Sequence, residues 1–198
     1  VRTKAAPVSI EPSCSALLNV FKLWGASGDM FITHSRRVAD ISHRLSKALG
    51  FTDEEANYIK MAGLVHDIGH MAIDSHVLLK TGSLTFEEYE LIKLHPAKGE
   101  ELLSSIKELK DIGGIIVQHH ENIDGTGYPE GLVGRAIRKE ARILSIAEAY
   151  DSMVSEYSYN RPVSKEAAMS ELMKQRGFQF DKQGVDIFLH SLTKITRD

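Results

Sequence analysis

Apolar residues along the chain recur at the three- and four-residue spacing of amphipathic helices, and the alternation typical of strands is nearly absent. Leu17, Phe21 and Trp24 mark the apolar side of a first helix. A second apolar stripe begins at Val38 and ends before Gly50, and glycine is typical of the position that follows a helix. The pattern predicts an all-α fold.

Helix start signals support this prediction. Thr52 with Glu55, and Thr85 with Glu88, match the capping box that opens a helix. The first box predicts a helix that reaches about residue 66. Pro96 breaks the helix that follows the second box or begins the next one.

The C-terminal half continues the helical pattern. We predict helices over residues 112–120 and from about 138 to 151, and two last helices with Ser164 and Asp181 as N-caps. We divide the chain into an N-terminal helical segment, residues 1–32, and one helical domain, residues 33–198. The first helix is expected to pack on the bundle or to form a dimer or partner contact.

Composition narrows the function classes. The chain has 198 residues, 24 Lys and Arg against 27 Asp and Glu, a net charge of −3, and a single cysteine, Cys14. One cysteine excludes an internal disulfide and four-cysteine zinc or iron–sulfur sites. The balanced charge gives no reason to expect nucleic acid or an anionic membrane as a partner, and no apolar run approaches the ~20 residues of a membrane span. The start at Val1 does not resemble a signal peptide, so a cytoplasmic location is expected.

Histidine is the candidate metal ligand, since the chain has nine histidines and one cysteine. The pairs at residues 66–67 (His-Asp) and 119–120 (His-His), and His95 beside Pro96, are each separated by roughly a helix and a turn. One ligand group per helix, pointing into a common interior, is how helical bundles build metal sites. The spacing alone leaves two interpretations open: a metal site, or histidines satisfied within the core. His43, His76 and His190 are expected to be bystanders.

The motifs, taken in order, resemble those of one family. They read HDIG over residues 66–69, LHP over 94–96 and HHENIDGTGYPEGL over 119–132. This ordered set resembles the HD-GYP family, a branch of the HD phosphohydrolase superfamily, from about residue 34 to 188. The resemblance implies a helical bundle of the HD-domain type with a metal site in its interior.

The same resemblance implies an activity and a ligand set. The activity is metal-dependent hydrolysis of cyclic di-GMP to the linear dinucleotide, and on to GMP if a second bond is cut, by hydroxide activated by two metals. The ions would be iron or manganese, with zinc a third option. Asp67 would bridge the ions and act in catalysis. The implied metal ligands are His34, His66, Asp67, His95, His119, His120 and Asp151.

Three positions depart from the family pattern. His70 stands where the family commonly has Lys, and we interpret it as a catalytic or phosphate-binding residue, with a role as an extra metal ligand as the alternative. Met30 replaces the Glu of three-metal members, so we predict two metals. Arg161 is a candidate phosphate clamp, but Val163 and Ser164 stand where a second basic residue is usual.

The Gly-Tyr-Pro loop has two interpretations. In one, it caps the bundle, with Asp124 bonding to its own backbone amides. In the other, it forms a rim where Tyr128 contacts substrate, or a docking surface for diguanylate cyclase domains. The residues concerned are Asp124, Gly125, Gly127, Tyr128 and Pro129.

Three functions therefore compete. The first is a cyclic di-GMP phosphodiesterase, which the complete ligand set favours. The second is a weakly active or inactive module that binds nucleotide or docks a protein, which His70 and the altered Arg161 segment favour. The third is a hydrolase of another cyclic dinucleotide, because pocket contacts set the substrate. The sequence does not predict the oligomeric state.

Overall fold

Ten α-helices make up most of the chain that the structure describes. The computed structural model describes residues 11–24, 26–80, 82–155 and 161–195. Within these ranges there are two isolated β-bridges and no longer strand, and the all-α prediction is confirmed. The helices are α1 Glu11–Phe21, α2 Ala26–Ala48, α3 Asp53–Val65, α4 Ser75–Leu78, α5 Phe86–Ile92, α6 His95–Ser104, α7 Lys110–Ile116, α8 Lys139–Val154, α9 Lys165–Lys174 and α10 Lys182–Ile195.

The predicted helix caps are present. Thr52 and Glu55 form a reciprocal capping box at the start of α3, and Thr85 and Glu88 form another at α5. Ser164 Oγ accepts a hydrogen bond from the Ala167 amide at α9, and an Asp181 carboxylate oxygen accepts one from the Gly184 amide at α10. These side chains satisfy amide groups that have no partner within the helix.

Helix α2 is central, and α3 and α8 pack against it. Val38 of α2 is fully buried in the main core, together with apolar residues of α3, α7 and α8. Helix α1 joins this core through Cys14 and Leu18, and Leu17 of the predicted apolar face packs against it. Burial raises the pKa of the Cys14 thiol to about 11. The side chains of Phe21 and Trp24, and residue Gly25, lie outside the described part.

A second core joins α8 to the two last helices, with Tyr150 packed edge-on against Phe188 at 5.0 Å between ring centroids. Helix α2 runs without interruption through residue 32, and the division of the chain there stays a prediction. Among the described helices, none combines the length and the apolar character needed to cross a bilayer.

One predicted helix is shorter than expected. We predicted a helix over residues 112–120, but α7 ends at Ile116. The amides of Gln118 and His119 then bond three residues back, to Ile115 and Ile116, which tightens the chain into turns. His119 and His120 therefore lie beyond the helix, as ligands at a helix end must.

The segment after α3 approaches α6 closely. Residues Ile68–Ala72 form a 3₁₀ turn that packs on α6. At Gly69, a Cβ atom would lie 1.8 Å from the His95 carbonyl oxygen and 2.6 Å from the Gly99 nitrogen. Since neither backbone atom can move independently, only glycine fits here.

Candidate metal centre

Side chains from five elements converge in the bundle interior. Asp67 follows the end of α3, and its two carboxylate oxygens face opposite sides. Oδ2 lies 3.3 Å from His66 Nε2, and Oδ1 lies 3.5 Å from His95 Nε2. The donor atoms form four overlapping groups, each with its atoms within 4.8 Å of one another. These groups are His34–His66–Glu148, His66–Asp67–His119, Asp67–His70–His95 and His95–His119–His120.

The histidine rings are oriented by their outer nitrogens. Nδ1 of His66 lies 2.8 Å from the Gly63 carbonyl, and Nδ1 of His95 lies 2.8 Å from the Ile92 carbonyl. His119 Nδ1 meets the carbonyl of Ile116 in the same way. A carbonyl fixes Nδ1 as the protonated nitrogen, so Nε2 is left as the lone-pair donor facing the interior. This is the arrangement that metal-binding imidazoles use.

The structure does not bring Asp151 into any of the four groups. Its Oδ2 lies 2.7 Å from His34 Nδ1, and Arg37 donates two hydrogen bonds to its carboxylate, at 2.7 and 3.0 Å. Both oxygens are therefore occupied on the outer side of His34. In this position Asp151 can orient the His34 ring, and its predicted role as a metal ligand stays a prediction.

Glu148 stands where Asp151 was expected. Its Oε2 lies 2.8 Å from His34 Nε2 and 3.2 Å from His66 Nε2, while Oε1 accepts a hydrogen bond from Ser152. The sequence carries a signal for it, because residues 148 and 151 share one face of a helix. Choosing between the two carboxylates needed the structure.

Charge is distributed unevenly over the site. Burial alone would raise the pKa of Glu148, but the adjacent His34 and His66 hold it well below its usual range. Burial alone would lower the pKa of His34, but Glu148 and Asp151 raise it to about 9. By contrast, burial lowers the pKa of His120 to about 4.

A cleft of about 520 Å³ opens beside the centre. Its wall includes the ligand candidates His119, His120 and Glu148. Most of the remainder is aromatic, amide or hydroxyl-bearing, with two small residues and one cation, Lys93. The other lining residues are Tyr89, Asn122, Thr126, Gly127, Tyr128, Ser145, Ala149, Ser152 and Gln179.

The Gly-Tyr-Pro loop supports His120 from outside. The Tyr128 ring stacks on the His120 ring at 4.8 Å, and the Tyr128 amide donates to the His120 carbonyl. A Cβ at Gly127 would lie 2.5 Å from that same carbonyl, so the close approach requires glycine. Lys93 Nζ lies 5.4 Å from the Tyr128 ring centroid. The loop is both a support for a ligand candidate and part of the cleft wall.

The remaining loop residues shape the loop itself. Asp124 accepts hydrogen bonds from the Thr126 amide and hydroxyl, as expected of a capping loop, and Gly125 has a positive φ of 84°. The Tyr128-Pro129 peptide bond is cis. Sequence reasoning missed Glu121, a buried carboxylate that accepts from two loop amides, those of Glu130 and Leu132.

The other candidates lie in different surroundings. His70 is buried beside Asp67. Arg161 is exposed and is not among the residues that line the cleft. His76 and His190 are exposed and His43 is half-buried, and within the described residues none of the three joins a ligand group.

The donor set fits divalent metal ions. Imidazole and carboxylate without thiolate suit iron, manganese or zinc. Nε2 of His66 is buried and makes no hydrogen bond in the described structure, although carboxylate oxygens of Asp67 and Glu148 lie 3.3 and 3.2 Å away. Buried polar atoms of this kind are usually explained by a bound ion or water.

Known proteins are similar to this chain in sequence. The family model of the HD domain matches residues 26–184. The chain is 40% identical over 161 residues to the cyclic di-GMP phosphodiesterase response regulator RpfG of Xanthomonas campestris, covering 80% of this chain and 43% of that protein. It is 35% identical over 158 residues to the 3′3′-cGAMP-specific phosphodiesterase 2 of Vibrio cholerae, covering 79% of this chain and 30% of that protein. The chain thus spans less than half the length of either relative.

The fold is also similar to that of a solved protein structure. A solved HDG"Y"P protein from Bdellovibrio bacteriovorus superposes with a TM-score of 0.71 at 24% identity, covering 93% of this chain and 63% of that chain. At this identity the likeness concerns the fold. The matched family model and the complete set of motifs lead to one conclusion: the chain belongs to the HD-domain family, in its HD-GYP branch.

Proposed function

We propose that the chain is a metal-dependent phosphodiesterase that hydrolyses a cyclic dinucleotide, with cyclic di-GMP as the first candidate, to the linear dinucleotide and, after a second cut, GMP. One observation carries the proposal. Two groups of metal donors share Asp67, and three of the donor residues, His119, His120 and Glu148, also form the wall of an open cleft. A phosphodiester in that cleft would meet the ions directly.

The two ions would be held by different groups. His34, His66 and Glu148 would hold one ion, and His95, His119 and His120 the other, each with one oxygen of Asp67. Bound iron or manganese would neutralise phosphate charge and make water available as a nucleophile near neutral pH. Arg37 and Asp151 keep the His34 ring in place from the outer side.

The cleft wall provides contacts for the rest of the substrate. Lys93 is the one cation among the lining residues, apart from the histidines, and an ammonium group can bind a phosphate oxygen. Tyr89 and Tyr128 offer aromatic faces on which a base can stack. The amides of Asn122 and Gln179 can both donate to and accept from the edge of a base. Arg161 stays a sequence prediction for a phosphate contact.

A second substrate has specific support. The relative from Vibrio cholerae is named as specific for 3′3′-cGAMP, a cyclic dinucleotide that differs from cyclic di-GMP in one base. Base contacts, and not the metal centre, would decide between the two. Docking of cyclase domains on the Gly-Tyr-Pro loop and a cytoplasmic location stay predictions.

The test is hydrolysis by the metal-loaded protein. The chain is reconstituted anaerobically with iron or manganese and incubated with cyclic di-GMP, 3′3′-cGAMP and cyclic di-AMP, and products are resolved by chromatography. We expect linear dinucleotide from cyclic di-GMP, and no product from the Asp67→Asn variant. Full metal occupancy and measurable nucleotide binding without product from any substrate would favour a binding module instead.

A further inference from the structure

His70 occupies the position at which the HD-GYP pattern has a lysine, but it does not face the cleft. The residue is 9% exposed, and its ring stacks on His95 at 4.1 Å between centroids and 19° between planes. Phe31 covers the ring at 5.4 Å. His70 is not among the residues that line the 520 Å³ cleft. A residue that binds a substrate phosphate would have to be exposed to the cleft.

The position of Nε2 points to an ion. His70 Nε2 lies 3.4 Å from Asp67 Oδ1, which lies 3.5 Å from His95 Nε2. His95 Nε2 in turn lies 3.4 Å from His119 Nε2. Two donors that each lie about 2.1 Å from one ion, at tetrahedral or octahedral angles, are about 3.0–3.4 Å apart. The separation between His70 Nε2 and Asp67 Oδ1 is at the upper end of this range.

Within the described residues, nothing else satisfies the ring. Nδ1 of His70 is buried and has no hydrogen-bond partner, in contrast to His66, His95 and His119, whose Nδ1 atoms meet carbonyls. Among the described residues, Nε2 of His70 is paired with the Asp67 carboxylate. A buried imidazole with so few partners is costly unless an ion binds it.

We infer that His70 is a ligand of an ion that it shares with Asp67, so that the metal centre gains a sixth imidazole. The inference rests on the metal centre of the proposed function and adds a ligand to it. The usual lysine, as an ammonium group, could not bind a cation.

An additional imidazole also alters which metal the site prefers. Imidazole suits iron, copper, nickel and zinc, whereas carboxylate and water suit manganese and magnesium. His70 therefore favours iron over manganese at this position. Histidine in place of the usual lysine thus removes a phosphate contact and affects which metal the site prefers.

The test measures metal binding without substrate. Wild type, His70→Gln and His70→Lys are titrated anaerobically with iron and with manganese in competition with a chelator. We expect the weaker-bound ion of both variants to lose about 10–100-fold in affinity, at least the effect of removing an outer partner of a ligand. The loss should be greater for iron than for manganese. His76→Gln, which removes an exposed histidine outside all ligand groups, is the matched control and should be unchanged.

A second measurement uses wild type alone, so it does not depend on the variants folding. In zinc-loaded protein labelled with ¹⁵N-histidine, NMR should count six metal-bound ring nitrogens; five would overturn the inference. Unchanged metal affinity in the variants would also overturn it, whether KM for cyclic di-GMP rises or not. Wild type that binds both ions and hydrolyses nothing would contradict the proposed function and leave the role of His70 standing.

Discussion

The metal centre has two halves that are organised by different means. We call His34, His66 and Glu148 the carboxylate half, and His95, His119 and His120 the triple-histidine half. In the carboxylate half, carboxylates surround the rings: burial would lower the pKa of His66, but Asp67 and Glu148 raise it well above its usual value, while the Gly63 carbonyl meets its Nδ1. In the triple-histidine half, burial lowers the pKa of His95 and of His119 well below the usual value, and backbone carbonyls hold these two rings.

The difference indicates which substitutions should disrupt each half. The carboxylate half depends on a chain of side chains, from Arg37 through Asp151 to His34 and Glu148, on the helices α2 and α8. The triple-histidine half depends on backbone conformation at the ends of short elements and on Tyr128 of the loop. Single side-chain changes should therefore separate the two halves.

The largest effect is expected from removing one donor in each half. Glu148→Gln should abolish binding of the ion in the carboxylate half. His120→Gln should abolish binding of the ion in the triple-histidine half. Each variant should bind one ion per chain, with turnover lowered by more than the 10–100-fold typical for loss of an outer partner. Metal analysis after anaerobic reconstitution checks the stoichiometry. If each variant lost both ions together, the division into halves would be wrong.

A smaller effect on metal affinity is expected from changing a residue that orients a ligand candidate, Asp151. In Asp151→Asn, the amide cannot replace the carboxylate between Arg37 and His34, so His34 loses its orientation. The affinity of the carboxylate half should fall about 10–100-fold, and that of the triple-histidine half should stay unchanged. Chelator competition measures both. Asp40→Asn, which alters an exposed carboxylate of α2 paired with Lys60, is the control.

The smallest effect concerns substrate rather than metal. Lys93 lies against Tyr128, on the side of the triple-histidine half. Lys93→Ala should raise KM for the cyclic dinucleotide about tenfold, equal to about 1.4 kcal/mol, with metal content unchanged. Steady-state kinetics check this, and Lys98→Ala removes a comparable lysine that pairs with Glu101. Equal KM values in the two variants would exclude a phosphate contact at Lys93.

The sequence predicted the features that depend on residues close together in the chain. Capping boxes located the starts of α3 and α5, and the paired residues at 66–67 and 119–120 identified helix ends that face the interior. Glu148 was missed because it and Asp151 share a helix face, and only the position of Arg37 shows which carboxylate turns outward. Lys93 was missed because it meets Tyr128 through tertiary packing. The interior position of His70 depends on its stacking on His95, which comes from another helix.

Gly69 has a consequence for how such a centre can change. It lies two residues after Asp67 and against the backbone of His95, so the absence of a side chain there fixes how far apart the two halves stand. A designer who wished to widen the centre for a larger pair of ions would find this glycine a more direct control than any ligand. Because Gly69 touches the backbone of His95, the spacing between the two halves changes only if two backbone segments move together.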